Sequence, residues 1–348
     1  DTNTCFLCSG ECFCPRGVDK LSSWAASSFL GTLATIKHLL LKIRLMLSTS
    51  KQILRNALAS LYFITGRHRT IHRGHAVILM YHRILPLSYV RDNLMLPGMY
   101  VCPEVFDMQI SYLKKIYKVI SLSEYIKRSE NHDWDYSKQY CIITFDDGWS
   151  DNYDHAFPVL KKHKLPATVF LATSFVGTEK RFWPEKLSFI FSRLNTSDMM
   201  TDDVKAYLNE SSSSFGLDVY DYVLQVVRNT GLRKSEFFHS LIEKLKTLPE
   251  AIIEEIISYL EEILHIKYPP ERLFLNWDEI NEMSDHSISF GSHGLNHKIL
   301  TKLSQEELIA ELQGSMDCLV KKHISHVPIL CYPNGTFNTL VINFVKEV

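Results

Sequence analysis

Two adjacent carboxylates, Asp146 and Asp147, stand before Gly148, and two imidazoles, His293 and His297, share the short stretch SHGLNH. Two imidazoles and one carboxylate form a common three-ligand set for catalytic zinc, and they leave a fourth position open to water. Adjacent aspartates at a strand end point in different directions, so one can hold an ion while its neighbour addresses the bound water. A bound divalent ion brings the pKa of that water to about 7, where a carboxylate can accept its proton. Each pattern alone is weak: Asp-Asp-Gly is most often a polar turn, and H-x3-H is most often a pair of packed or surface histidines. The case for a site comes from where the elements put them.

Three polar clusters each follow a short apolar run. Asp146, Asp147 and Gly148 follow YCIITF (Tyr140–Phe145), the histidines follow ISF (288–290), and Pro333, Asn334 and Gly335 follow ILCY (329–332). Runs this short and nearly continuous read as strands buried on both faces, as do AVILMYH (76–82) and ATVFL (Ala167–Leu171). Helical patterns alternate with them. Residues 103–117 open on a proline and place Phe106, Ile110 and Leu113 on one face. Residues 153–163 and 277–283 also read as helices. Ser121 with Glu124, and Ser304 with Glu307, form capping-box signatures. The helix after Ser304 carries Leu308, Leu312, Met316, Leu319 and Val320 at three- and four-residue intervals, and 339–348 begins another. Alternating strands and helices predict an α/β fold with a parallel sheet or barrel, whose sites gather at the carboxyl ends of strands. Residues 180–272 interrupt the rhythm with polar sequence, a loop at 211–214 and an apolar helical face over 250–266. They are expected to be a helical insertion and not an independent domain.

ITFDDGWSDNY, SHGLNHKILTKLS and CYPNGTFN, in this order behind ILMYHRI, strongly resemble the polysaccharide deacetylases with a NodB-homology domain, carbohydrate esterase family 4. The resemblance covers roughly residues 74–348 apart from the insertion. It implies a distorted (β/α) barrel that hydrolyses acetyl groups from N-acetylated sugars of a polysaccharide or oligosaccharide. It implies a divalent metal, zinc by preference, with Asp147, His293 and His297 as ligands and Asp146 as the catalytic base. Asn334 matches the residue whose backbone N–H helps hold the oxyanion. Two departures stand out. Cys331 occupies a place where many members carry an arginine, and Asn334 replaces an aromatic residue. The later motif that supplies a histidine to protonate the leaving amine does not occur before Val348, so either the chain is truncated or another group acts. His82 ends the first strand on the same face; it is read as an active-site residue, with a structural histidine bonded to backbone as the alternative. Phe182 and Trp183 are candidates for a sugar-facing wall or for core packing. Two other functions stay open: an O-acetyl esterase on a glycan, and a catalytically impaired carbohydrate- or metal-binding remnant.

Composition sets the outer bounds. An apolar content of 46% with 22% charge is that of a globular chain, and a net charge of −1 gives no strong field for nucleic acid. Cys102, Cys141, Cys318 and Cys331 are scattered and read as reduced thiols. Cys5, Cys8, Cys12 and Cys14 crowd together, but their spacing matches neither a zinc ribbon nor a ferredoxin run. Residues 1–45 are expected to lie outside the native fold, with Met46 as the natural start. Residues 46–73 are expected to be an amino-terminal helical segment. Within it, 53–65 with Lys51, Arg55, Arg67 and Arg69 fits a basic amphipathic helix lying on a membrane, and equally a helix capping the domain. The expected location is the cytoplasm or a membrane surface, with the cell envelope as the alternative.

Overall fold

The apolar runs become the strands of one parallel sheet. The computed structural model describes residues 54, 57–66, 76–96, 98–193, 202–213, 219–322 and 324–347. Ala76–Trp134 and Tyr140–Val348 belong to one compact unit; the described residues of 54–66 fall with Asp135–Gln139 in another. The readings made on residues 1–45, including the Cys5–Cys14 cluster, lie outside the described residues. In the smaller unit, residues 57–64 are helical and every residue from Ala57 to Thr65 is exposed.

The larger unit runs β1 (Ala76–Tyr81), β2 (Arg83–Ile84), α1 (Leu87–Asp92), β3 (Tyr100–Val101), α2 (Pro103–Ile116), β4 (Lys118–Val119), α3 (Leu122–Asn131) and β5 (Tyr140–Phe145). There follow α4 (Phe157–His163), β6 (Ala167–Leu171), α5 (Trp183–Arg193), α6 (Asp202–Ser213), α7 (Val219–Arg228), α8 (Gly231–Leu245) and α9 (Glu250–Ile263). The chain then continues through α10 (Trp277–Ser284), β7 (Ile288–Ser292), α11 (Gln305–Lys321), β8 (His326–Leu330) and α12 (Thr339–Glu347). The sheet order is β1-β5-β6-β7-β8, with β4 beside the start of β5, and all these pairs are parallel. From β5 to β8 neighbours in space are neighbours in strand sequence, the singly wound order of a distorted (β/α) barrel. Every residue of β5, β6 and β7 is buried, so their carboxyl ends are fixed platforms for the polar turns beyond them.

The elements described between β6 and β7 are all helices, and the insertion has a core of its own. Leu187, Ile190 and Phe191 of α5 pack with Val223 and Val226 of α7, Leu241 of α8 and Ile256, Ile257 and Leu260 of α9. Its ends are drawn together: Arg181 donates through Nη2 to the carbonyls of Pro269 (2.9 Å) and Glu271 (3.3 Å). No helix among the described residues is long and apolar enough to cross a membrane.

Four local expectations need correction. The first strand is not buried on both faces, because the side chains of Ile78 and Met80 are exposed. The helix expected from residue 153 starts as a π-helical turn, Asn152–Ala156, and becomes α-helical only at Phe157. Pro158 has no N–H to continue an i→i−4 ladder, and its ring crowds the carbonyl of residue 154, so the turn before it widens. Residues 211–213, read as part of a loop, close α6 instead; serine costs a helix only a few tenths of a kcal/mol. The last strand lies at His326–Leu330, earlier than 329–332, because His326 and Pro328 hide its amino-terminal half from an apolar-run reading.

Candidate active site

The structure brings Asp146, Asp147, His293, His297 and His82 together, each just past the carboxyl end of a strand. After β5 the chain turns sharply. Asp147 has φ 76° and Gly148 φ 80°, and a Cβ on Gly148 would meet Leu171 Cδ2 at 2.6 Å. A side-chain-bearing residue held at positive φ is costly, and the turn sends the two aspartate side chains in different directions.

Asp147 is buried, and its two oxygens have different surroundings. Oδ2 accepts a 2.8 Å hydrogen bond from Trp149 Nε1. Oδ1 faces His297 Nε2 at 3.2 Å and His293 Nε2 at 3.4 Å, and no group among the described residues completes a hydrogen bond to it. Burial alone would push this carboxyl up; the two imidazoles outweigh it and hold Asp147 well below the usual carboxylate range. A buried carboxylate oxygen that points at two imidazole nitrogens is a donor arrangement that fits a divalent cation. Ligand atoms of these three residues lie within 4.8 Å of one another, the only such group among the described residues. One oxygen and two nitrogens form the three-ligand set that suits zinc.

The imidazoles are aimed by their outer contacts. His293 is buried, and its Nδ1 lies 2.9 Å from the carbonyl oxygen of Cys331, which fixes Nδ1 as the donor and turns Nε2 toward Asp147. Burial would lower the His293 pKa, but Asp147 and Asp146 raise it well above the ordinary imidazole value. His297 lies at φ 58°, with Phe182 stacked on its ring at 4.4 Å and 23°. The loop between the two histidines is a turn held by Glu311 of α11. Glu311 Oε2 accepts from the backbone N–H groups of Leu295 (2.9 Å) and Asn296 (2.8 Å), and Oε1 accepts from Asn296 Nδ2 (2.7 Å).

Asp146 is buried beside this cluster. Burial pushes its carboxyl up, while His293 and His82 pull it down. Its Oδ2 is contacted by the Cys331 thiol (3.5 Å) and lies 4.0 Å from His82 Nε2; its Oδ1 has no hydrogen-bond partner among the described residues. Cys331 thus stands directly beside the aspartate. Asn334, at φ 58° in the turn after β8, behaves differently: its side chain is exposed and accepts a 2.9 Å bond from Lys246 of the insertion.

Three supporting residues escaped the sequence reading. Trp149 holds Asp147, stacks on Phe274 (4.6 Å, 21°) and carries the Arg83 guanidinium over its ring at 4.4 Å. Arg83 is buried and paired with Asp151 at 2.9 Å; Asp151 also accepts from Ile84 N, and Asn152 donates to the carbonyl of His82. The tail of the GWSDNY stretch therefore fastens the strand that carries His82. Glu311 is the third, and it had a signal: a carboxylate among the apolar positions of a helix. Phe182 and Trp183 both make packing contacts. Phe182 lies in a buried cluster with Trp149, Phe175 and Phe274, and Trp183 packs against the core of the insertion.

Residues 134–348 match the sequence profile of the family described as polysaccharide deacetylase. The chain is 35% identical over 114 residues to the poly-beta-1,6-N-acetyl-D-glucosamine N-deacetylase of Staphylococcus epidermidis, a match covering 30% of this chain and 39% of that protein. The protein of the same description from Staphylococcus aureus is 30% identical over 112 residues, covering 30% of this chain and 38% of its own. The match therefore spans about two fifths of the length of these relatives. Among solved structures, the Streptococcus pyogenes deacetylase PplD in complex with acetate is 20% identical, with 78% of each chain covered and a TM-score of 0.44. A profile match across more than half the chain, over the stretch that holds the paired aspartates and the two histidines, makes the chain a member of the polysaccharide deacetylase family.

Proposed function

We propose that the chain is a zinc-dependent hydrolase that removes acetyl groups from N-acetylated sugars, with a poly-N-acetylglucosamine polymer as the substrate class. The observation that carries the reading is the buried Oδ1 of Asp147, facing two imidazole nitrogens with no bond to either. Asp147, His293 and His297 would hold the ion. When bound, such an ion polarises an acetyl carbonyl and makes water acidic enough to attack near neutral pH. The staphylococcal relatives act, by their description, on poly-beta-1,6-N-acetyl-D-glucosamine, and that supports an amide in an amino-sugar polymer as the substrate.

The remaining roles belong to the chain's own groups. Asp146 takes the proton from the attacking water at Oδ1, the oxygen with no other partner. The Cys331 thiol and His82 at Oδ2 keep the carboxylate from turning away. His82, 4.0 Å from the Asp146 carboxylate, would be the group that returns a proton to the leaving amine. The backbone N–H of Asn334 is the donor for the oxyanion, and preorganised donors of this kind are worth about 2.7–4 kcal/mol each.

The test is metal analysis of the purified chain together with acetate release from β-1,6-linked N-acetylglucosamine oligomers, with O-acetylated xylan in parallel. The expected result is zinc close to stoichiometric with protein and acetate released from the amide substrate, lost on chelation and restored by zinc. Release from the xylan alone would make the chain an O-acetyl esterase. No retained metal and no acetate from either would make it a binding remnant.

A further inference from the structure

The described helical residues of the smaller unit carry an exposed apolar stripe. Leu54, Leu58, Leu61 and Ile64 follow at intervals of four, three and three, which places them along one side of a helix. Their exposures are 59%, 57%, 59% and 79%. Every residue from Ala57 to Thr65 is exposed. Four large aliphatic side chains in a row on water are costly to leave uncovered.

The charge around the stripe says what covers it. No aspartate or glutamate occurs between Asp19 and Asp92, whereas Lys51, Arg55, Arg67, Arg69 and Arg73 flank or interrupt the stripe in sequence. The chain as a whole carries −1, so this is a local concentration of positive charge. A second copy of the same helix would bring these cations against their own kind. An anionic lipid surface accepts both features at once, with the aliphatic stripe among the acyl chains and the cations at the headgroups. We infer that this helix lies in the plane of an anionic bilayer and holds the chain at a membrane surface without crossing it.

The experiment is vesicle co-sedimentation of the full chain, with vesicles of about 30% phosphatidylglycerol in phosphatidylcholine compared with phosphatidylcholine alone. Binding is expected to the anionic vesicles only, and to weaken as salt rises from about 0.1 M to 0.5 M. Arg67→Gln with Arg69→Gln should weaken binding roughly 25-fold, at about fivefold for each cation near the surface. Leu58→Gln, Leu61→Gln and Ile64→Gln together should abolish binding and leave the melting temperature of the chain unchanged. A fall in melting temperature would mean that the stripe packs within the protein, and the inference would fail. It would fail equally if the triple variant bound like the parent, or if neutral and anionic vesicles bound alike. Self-association without vesicles, lost in the triple variant, would assign the stripe to a second copy and overturn the lipid reading.

Discussion

Replacing Trp149 with phenylalanine isolates one hydrogen bond at the candidate metal site. Phenylalanine keeps an aromatic ring to stack on Phe274 and to sit under Arg83, but it has no N–H for Asp147 Oδ2. Both Trp149 and Asp147 are buried, so water has poor access to replace the lost donor. Hydrogen bonds to charged groups are worth about 1.5–3 kcal/mol, and the freed oxygen lets the carboxylate rotate away from its ligand orientation. Loss of an outer-shell partner weakens metal binding roughly 10- to 100-fold, about 1.4–2.7 kcal/mol, so the two estimates agree. The assay is zinc titration against a competing chelator, with melting of the metal-free protein in parallel. Trp149→Phe should raise the zinc dissociation constant about 10–100-fold. Phe274→Leu, which thins the same stack but keeps the donor, should lower melting temperature and leave zinc affinity alone. Parent-like zinc affinity in Trp149→Phe, with the metal-free protein still folded, would refute the idea that the indole orients the carboxylate.

Other outcomes are expected from the same geometry. Asp146→Asn should keep zinc and lose roughly 10²–10⁴-fold in turnover, whereas His293→Ala should lose both zinc and activity; metal analysis and initial rates on the two variants decide this. Glu311→Gln should destabilise the chain by roughly 1–3 kcal/mol and weaken zinc binding, because an amide cannot accept all three hydrogen bonds that the carboxylate takes from the 293–297 turn; unchanged unfolding in denaturant would count against it. In the metal-free protein His293 is raised above its unfolded value, so its contribution to stability is full below about pH 6.5 and is lost as pH climbs through the raised value. Asp147 is depressed, so its contribution is present above about pH 4 and is lost only in strong acid. Melting temperature without metal should therefore fall as pH rises above about 6.5, while the gap between zinc-loaded and metal-free protein widens, since zinc needs the neutral imidazole. A metal-free melting temperature that rises across that range would contradict this assignment.

The parts of the site that the sequence exposed are those where polar residues end apolar runs. Asp146 and Asp147 after YCIITF, and His293 after ISF, stand out because a buried parallel strand has no other use for charge at its tip. Residues that act through tertiary contacts gave weaker signs. Trp149 and Arg83 lie 66 positions apart, and nothing in either local pattern announces that a guanidinium will stack on an indole that holds a ligand. Glu311 was readable in principle, since Leu308, Leu312 and Leu319 mark the buried face on which it sits. The boundary errors have equally local causes: Pro158 widened a turn that periodicity treats as regular helix, and Pro328 masked half of a strand.

The joined ends of the insertion bear on how such a chain can be altered. Its entry, at Arg181 and Phe182, and its exit, at Leu273 and Phe274, meet in one place, through the bonds from Arg181 and the packing of Phe182 on Phe274. The exit is also tied to the catalytic turn, since Ser150 N donates to the Leu273 carbonyl and Leu275 N to that of Gly148. Everything between is a closed loop by construction, and doubling the length of a loop whose ends already meet costs only about 0.6 kcal/mol. The segment is in effect an exchangeable cassette. Helices lengthened behind that clasp would leave its two ends joined, with Lys246, which donates to Asn334, as a position whose contact must be kept.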